Sequence, residues 1–224
     1  MKINADIDNN SVRADRQVSE KFKLFNENES GYKVLFLGNS ITVHERAPQI
    51  GWDHNWGMAA SREANDYVHL VLRGLGERYG ALNYCIANVG TWELKYWDGE
   101  LLNSFSAARD FRPDLVIVRL GENVNRAMFG EYDFAGHFAA FLRYFHTPGS
   151  ELVVTGLFWE HEETEQMIRR EAEKEGGKFV VLSDLGYRNE NKALGQYAHP
   201  GVALHPNDRG MRAIAERILA AVRA

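Results

Sequence analysis

The chain has one cysteine, Cys85, so no disulfide can form within it. That cysteine lies in the apolar stretch Tyr84-Cys85-Ile86-Ala87, which reads as a buried structural thiol rather than a reactive one. No apolar run reaches the roughly 18 residues of a membrane-spanning helix, so no membrane partner is expected. The first residues carry Asp6, Asp8, Asn9 and Asn10 where a signal peptide needs an apolar core. The chain as written therefore reads as cytoplasmic, and as secreted if a leader was removed earlier. Basic runs are also missing. Lys and Arg number 26 against 31 Asp and Glu, a net charge of −5, which weighs against nucleic acid as the partner. No G-x-G-x-x-G follows the first apolar run and no G-x-x-x-x-G-K-S/T occurs, so a nucleotide cofactor has no support. Trp159-Glu160-His161-Glu162-Glu163 lacks the His-Glu-x-x-His spacing of a metal helix and reads as an acidic helix start. No cofactor and no metal are expected. Internal repeats, low-complexity tracts and composition breaks are lacking too.

What is present is the composition of a folded domain. Of 224 residues, 45% are hydrophobic and 25% charged, enough for one ordinary core. Residues 1–31 are polar and irregular and read as an N-terminal extension packed on the domain, anchored by Val18, Phe22, Leu24 and Phe25. Residues 32–224 read as a single domain. Short apolar runs at 32–37, 83–88, 115–120, 152–158 and 179–182 predict strands. Between them the apolar spacing predicts helices near 61–79, 98–109, 133–146 and 162–176, with a last helix from 207. Short unalternating strands separated by helices indicate a parallel sheet covered on both faces.

The organising stretch is Lys33-Val-Leu-Phe-Leu-Gly38-Asn39-Ser40. An apolar strand ends in a glycine, and a serine follows at the carboxyl rim of the sheet, where open α/β folds place their ligands. Two other strand ends carry small or polar residues that packing does not demand, Asn88-Val89-Gly90 and Gly121-Glu122-Asn123. Acyl transfer needs a nucleophile and donors for a developing oxyanion. Ser40 offers its hydroxyl and its own N–H, Gly90 a bare N–H, and Asn123 a side-chain amide. A serine also needs a base. His205, in Leu204-His205-Pro206-Asn207-Asp208 just before the last helix, returns to the same rim. His199-Pro200 is a second histidine nearby, in a block that fits less well.

These residues resemble the SGNH hydrolase family, the GDSL-type esterases, whose hallmarks are Ser, Gly, Asn and His in separate blocks in that order. Gly38-Asn39-Ser40-Ile41 matches the first block with Asn39 where Asp is usual. Gly90 matches the second and Gly121-Glu122-Asn123 the third, with Val124 where Asp is usual. His205-Pro206-Asn207 matches the last. The resemblance covers residues 33 to 208. It implies a flavodoxin-like three-layer α/β/α sandwich around five parallel strands, ester hydrolysis through an acyl-serine, and no metal.

One departure concerns the third catalytic group. The family usually carries an Asp three residues before the histidine, and Val202 stands there. Glu122 on the rim is the first candidate to orient His205, then Asp184, then Glu93, and a backbone carbonyl is the remaining option. The Asp66-x-x-His69 pair lies in a predicted helix and reads as coincidence. Arg119, a charge inside the best strand, either reaches the rim to bind an anion or pair with Glu122, or pairs with another carboxylate for structural reasons. Trp52 and Trp56 in the loop after Ser40, and Trp92 after Gly90, are candidate walls of the substrate pocket; packing the loop down is the other reading for the first two. The aromatic faces of Trp52, Trp56, Trp92 and Trp97 suit a sugar ring, and a short ester, acetyl on a carbohydrate, is the expected substrate. The alternative is a non-catalytic or weakly catalytic carbohydrate-binding relative on the same fold. Oligomeric state is not legible.

Overall fold

Within Val34-Leu35-Phe36-Leu37 neighbouring side chains point to opposite faces, as a strand requires. Leu35 and Leu37 enter one buried cluster, Val34 and Phe36 another. The same division holds for Val116 and Val118 against Leu115 and Ile117. The sheet is therefore buried on both sides, which is why its strands read as continuous apolar runs. These observations come from a computed structural model that describes residues 22–223.

In chain order the strands are β1 (Phe22–Phe25), β2 (Tyr32–Gly38), β3 (Leu82–Asn88), β4 (Leu115–Arg119), β5 (Glu151–Thr155) and β6 (Lys178–Val180), and the sheet order is β1-β3-β2-β4-β5-β6. The five expected strands pair in parallel. A sixth, β1, adds antiparallel to β3, with Phe22 opposite Ala87 and Phe25 opposite Tyr84. This corrects the five-stranded expectation. Phe22 and Phe25, taken as anchors of an outer extension, are themselves part of the sheet. Val18 and the rest of residues 1–21 lie outside the described residues.

The helices are α1 (Tyr67–Tyr79), α2 (Gly90–Leu94), α3 (Ser106–Asp110), α4 (Phe134–Phe145), α5 (Glu162–Lys174), α6 (Ser183–Gly186), α7 (Pro200–Ala203) and α8 (Asp208–Ala221). Helices α1 and α8 cover one face of the sheet through Val68, Val71, Leu75, Met211, Ile214 and Ile218. Helices α4 and α5 cover the other through Phe138, Phe141, Phe145, Ile168 and Ala172. The region expected as one helix at 98–109 is a 3-10 turn over Gly99–Phe105 followed by the short α3. Asp66 caps α1, its carboxylate accepting from the His69 N–H, so the Asp66–His69 spacing is a helix cap. His161 caps α5 in the same way, accepting from Thr164.

The register places three strand ends level. Gly38 pairs with Asn88 on one side and with Arg119 on the other. The loops after β2, β3 and β4 therefore leave the sheet side by side.

Candidate active site

Gly38 turns the chain out of β2 where nothing larger fits. A Cβ there would lie 2.6 Å from the Arg119 carbonyl and 1.9 Å from Thr42 Oγ1. Asn39 then turns inward, 1% exposed, and Ser40 faces a cleft of about 430 Å³. His205 arrives from the far end of the chain. Pro200 at the first position of α7 suits a helix start, and the chain then passes through Leu204 to His205. Behind it Asn207 caps α8, accepting from Arg209 and Gly210, while its amide donates to the Glu190 and Lys192 carbonyls. The loop is thus held on both sides of the imidazole.

Ser40 Oγ lies 2.8 Å from His205 Nε2. The other ring nitrogen, Nδ1, is 2.7 Å from the Gly201 carbonyl oxygen. A carbonyl only accepts, so Nδ1 carries the proton and Nε2 is left to accept from Ser40. Trp159 packs edge-on against the ring at 4.9 Å between centroids. Burial lowers the His205 pKa, as do the charges of Arg119 and His44, and the Gly201 bond offsets only part of this; the result is about 4. The imidazole is neutral at pH 7 and ready to take a proton. Protonation removes that capacity, so activity is present above this pKa and lost below it. Half of kcat/KM is expected to be lost only near pH 4 and the rest below it, well under the ordinary histidine value of about 6.5, and a pH–rate profile checks it.

None of the three carboxylates named as candidates to orient His205 touches it. Glu122 forms an ion pair with Arg119 and accepts from Asn39 Nδ2 at 2.7 Å and from the Phe158 N–H at 3.0 Å. Burial alone would raise its carboxyl. Arg119, helped by the Phe158 and Asn39 donors, outweighs burial and holds it below the usual carboxylate range. Asp184 makes a two-pronged pair with Arg217 on α8. Glu93 is wholly buried and faces Asn123 and Asn39. Val202 packs with Trp52, Met58 and Ala59, which leaves the backbone of its own turn to hold the imidazole.

The same network accounts for Asn39. Its Oδ1 accepts from Arg119 Nη1 at 2.7 Å, and its Nδ2 donates to Glu122 and, at 3.3 Å, to Glu93. An Asp here would turn acceptor oxygens against two buried carboxylates with one arginine between them. The amide of Asn39 therefore suits its neighbour Glu122 as a carboxylate would not. Both readings of Arg119 meet: it lies against Glu122 beneath the rim and is 0% exposed.

The expected oxyanion donors are brought together unequally. Ser40 and Gly90 both line the cleft, and so does Asn123. The Gly90 N–H, however, already donates to Asn88 Oδ1 at 2.9 Å, while Asn88 Nδ2 holds the Val43 carbonyl. A strand-end asparagine can make this turn with its own chain, and that was the available signal for Asn88. The tryptophans do not line the cleft. Trp52 is 0% and Trp92 1% exposed. Trp52 binds the His44 carbonyl, Trp92 packs on Phe141, and Trp56 stacks on His54 and donates to the Ala60 carbonyl. They pack their segments down and offer the cleft no aromatic face for a sugar ring, which corrects the expectation that they wall the pocket. Ile50, Met58, Leu94 and Val202 form the apolar lining instead, with His44 and His199 at the cleft. Single apolar residues in loops and one-turn helices left no pattern by which to find them. Among the described residues no group of three or more His, Cys, Asp or Glu is placed to hold a metal ion, and no helix is long and apolar enough to cross a membrane.

A parallel sheet covered on both faces, with a hydrogen-bonded serine and histidine at its carboxyl rim, is the build of an ester hydrolase. The chain belongs to the GDSL-like lipase/acylhydrolase family, whose model matches residues 36–213, and is a carboxylic ester hydrolase. Its fold is similar to that of the psychrotrophic esterase EstA from Pseudoalteromonas sp., with 13% identity and a TM-score of 0.55 over 84% of this chain and 95% of that one. A putative GDSL-like lipase from Parabacteroides merdae is similar at 18% identity and TM-score 0.52, over 85% and 94%. A two-domain esterase active on acetylated mannans is similar at 16% identity and TM-score 0.50, over 85% of this chain and 48% of that one. No curated protein matches the sequence.

Proposed function

We propose that this hydrolase cleaves short-chain esters, acetyl above all, of a polar alcohol such as a carbohydrate, with Ser40 as nucleophile and His205 as base. The observation that carries this reading is the 2.8 Å contact from Ser40 Oγ to His205 Nε2, with Nδ1 held by the Gly201 carbonyl. Ser40 attacks the ester carbonyl while His205 takes its proton. The tetrahedral oxyanion lies against the Ser40 N–H and the Asn123 amide, with the Gly90 N–H shared with Asn88. His205 gives the proton to the departing alcohol. Water then attacks the acyl-serine, His205 takes the water proton, and Ser40 leaves with it. Among the described residues no carboxylate contacts the imidazolium formed on the way, so a lower kcat than that of a complete triad is expected.

A short acyl group is supported by the size of the cleft, about 430 Å³ shared between acyl group and alcohol. A polar alcohol is supported by Asn88, Asn123, His44 and His199 on its lining, and by the fold shared with the esterase active on acetylated mannans. The test is a series of para-nitrophenyl esters from acetyl to dodecanoyl, beside an acetylated oligosaccharide. Acetate release is expected to lead, with kcat/KM falling at least about tenfold by octanoyl. Faster turnover of the long chains would overturn the acyl assignment. Release from para-nitrophenyl acetate with none from the oligosaccharide would remove the sugar.

A further inference from the structure

We infer that Glu93 is a positioning residue for the oxyanion donor Asn123, setting which end of that amide faces the cleft. The inference rests on the reading of Ser40 and Asn123 above.

An asparagine side chain has a donor end and an acceptor end of nearly equal shape. In an oxyanion site only one of them works. Nδ2–H stabilises the developing charge, whereas Oδ1 would repel it. Something must therefore choose the orientation. Asn123 is exposed along the cleft, and its Nδ2 donates to Glu93 Oε2 at 2.9 Å. That carboxylate accepts only, so it admits the NH2 end and refuses Oδ1. One Nδ2 proton is used in the contact, and the second remains for the substrate oxygen.

The rest of Glu93's surroundings enforces the same choice. Its Oε1 accepts from the Gly121 N–H at 2.5 Å, from the Asn123 N–H at 3.3 Å and from Asn39 Nδ2 at 3.3 Å. Four N–H groups thus converge on one buried carboxylate, and the backbone carrying Asn123 is fixed by the group that turns its amide. Gly121 has φ +129, so the segment makes a sharp exit from β4 that these bonds hold. Asn39 brings the residue before the nucleophile into the same set. Glu93 lies at the meeting point of the loops after β2, β3 and β4 and contacts neither Ser40 nor His205.

Glu93 also makes the arrangement sensitive to protons. Burial and the neighbouring Glu122 push its pKa up to about 7, against the pull of the Gly121 and Asn123 donors. The charged and titratable groups around it are Glu122 and, beyond it, Arg119. When Glu93 is ionised it demands the donor end of Asn123. When protonated it presents an O–H that Oδ1 accepts, and the amide is free to turn the wrong way. Stabilisation of the oxyanion is therefore present above this pKa and reduced below it. The expected acid limb of kcat has two steps: a partial one near pH 7 from Glu93, then the complete loss at lower pH from His205.

The experiment is a double-mutant cycle on the full chain with para-nitrophenyl acetate, using Glu93→Gln, Asn123→Ala and the pair. Asn123→Ala is expected to lower kcat by about 10²-fold. Glu93→Gln is expected to lower it about tenfold or more, with KM within about twofold. Adding Glu93→Gln to Asn123→Ala is expected to change kcat by less than about threefold, since the amide through which Glu93 acts is gone. Effects that multiply, or a Glu93→Gln enzyme with unchanged kcat, would overturn the inference. Should Glu93→Gln not fold, the pH profile of Asn123→Ala decides instead: the step near pH 7 must vanish while the lower one remains, and a wild-type profile without the step, or its survival in Asn123→Ala, counts against Glu93. Ser40→Ala separates the two levels of the proposal. If it retains activity, the reading of the site fails; if it is inactive and the cycle is additive, only the role of Glu93 fails.

Discussion

Replacing Ser40 by Ala is expected to lower kcat on para-nitrophenyl acetate by at least about 10⁴-fold. The side chain removed is the only hydroxyl in contact with His205 Nε2 among the described residues. Without it, the neutral imidazole has no group to deprotonate except water. The oxyanion donors stay in place, so turnover above the uncatalysed rate is expected to persist. The fold should be indifferent. Ser40 is half-buried, alanine fits its backbone, and the loss of one hydrogen bond changes stability by about 1 kcal/mol. Unfolding curves should superimpose within that margin. Activity within about tenfold of wild type would remove Ser40 from the mechanism. Thr91 is the other hydroxyl on the cleft lining and would then be the group to replace.

Replacing Arg119 by Met is expected to destabilise the protein by about 3–5 kcal/mol. The guanidinium is 0% exposed and the Glu122 side chain 5% exposed. Methionine fills much of the volume but removes the cation that pairs with Glu122, leaving a buried negative charge beside a second carboxylate, Glu93. It also strips Asn39 Oδ1 of its 2.7 Å donor. The midpoint of urea unfolding should fall with little change in slope. Adding Glu122→Gln should recover part of the loss, because the stranded charge is then gone. A cost below about 1 kcal/mol for Arg119→Met would show that the ion pair does not support the rim. Because Asn39 precedes Ser40, kcat should fall as well.

The strands were legible because both faces of the sheet are buried, and Val34 to Leu37 or Leu115 to Val118 carry that burial as unbroken apolar runs. The Ser40–His205 pair was legible because strand ends and the loop before α8 must meet at one rim. Strand β1 was missed for the opposite reason. Phe22-Lys23-Leu24-Phe25 is four residues long with Leu24 exposed, and only its pairing with β3 distinguishes it from a polar tail. The acid candidates failed on a different point. Glu122, Asp184 and Glu93 are each near a strand end in sequence, but what they face is set by Arg119, Arg217 and Asn123, and those partners lie up to 33 positions away. Burial of Trp52 and Trp92 could not be read either, since a large aromatic beyond a strand end suits a pocket wall and a core equally well.

The antiparallel β1 also bears on how the chain behaves in company. A polypeptide starting near residue 30 would keep every group that Ser40 and His205 require. It would also uncover the outer edge of β3 from Tyr84 to Ala87, a row of backbone donors and acceptors that β1 now occupies. Bare edges of that kind recruit strands from other molecules. The four residues Phe22–Phe25 thus put a short edge in place of the longer one of β3, and a shortened chain is expected to be as active per molecule while self-associating at lower concentrations than the full chain.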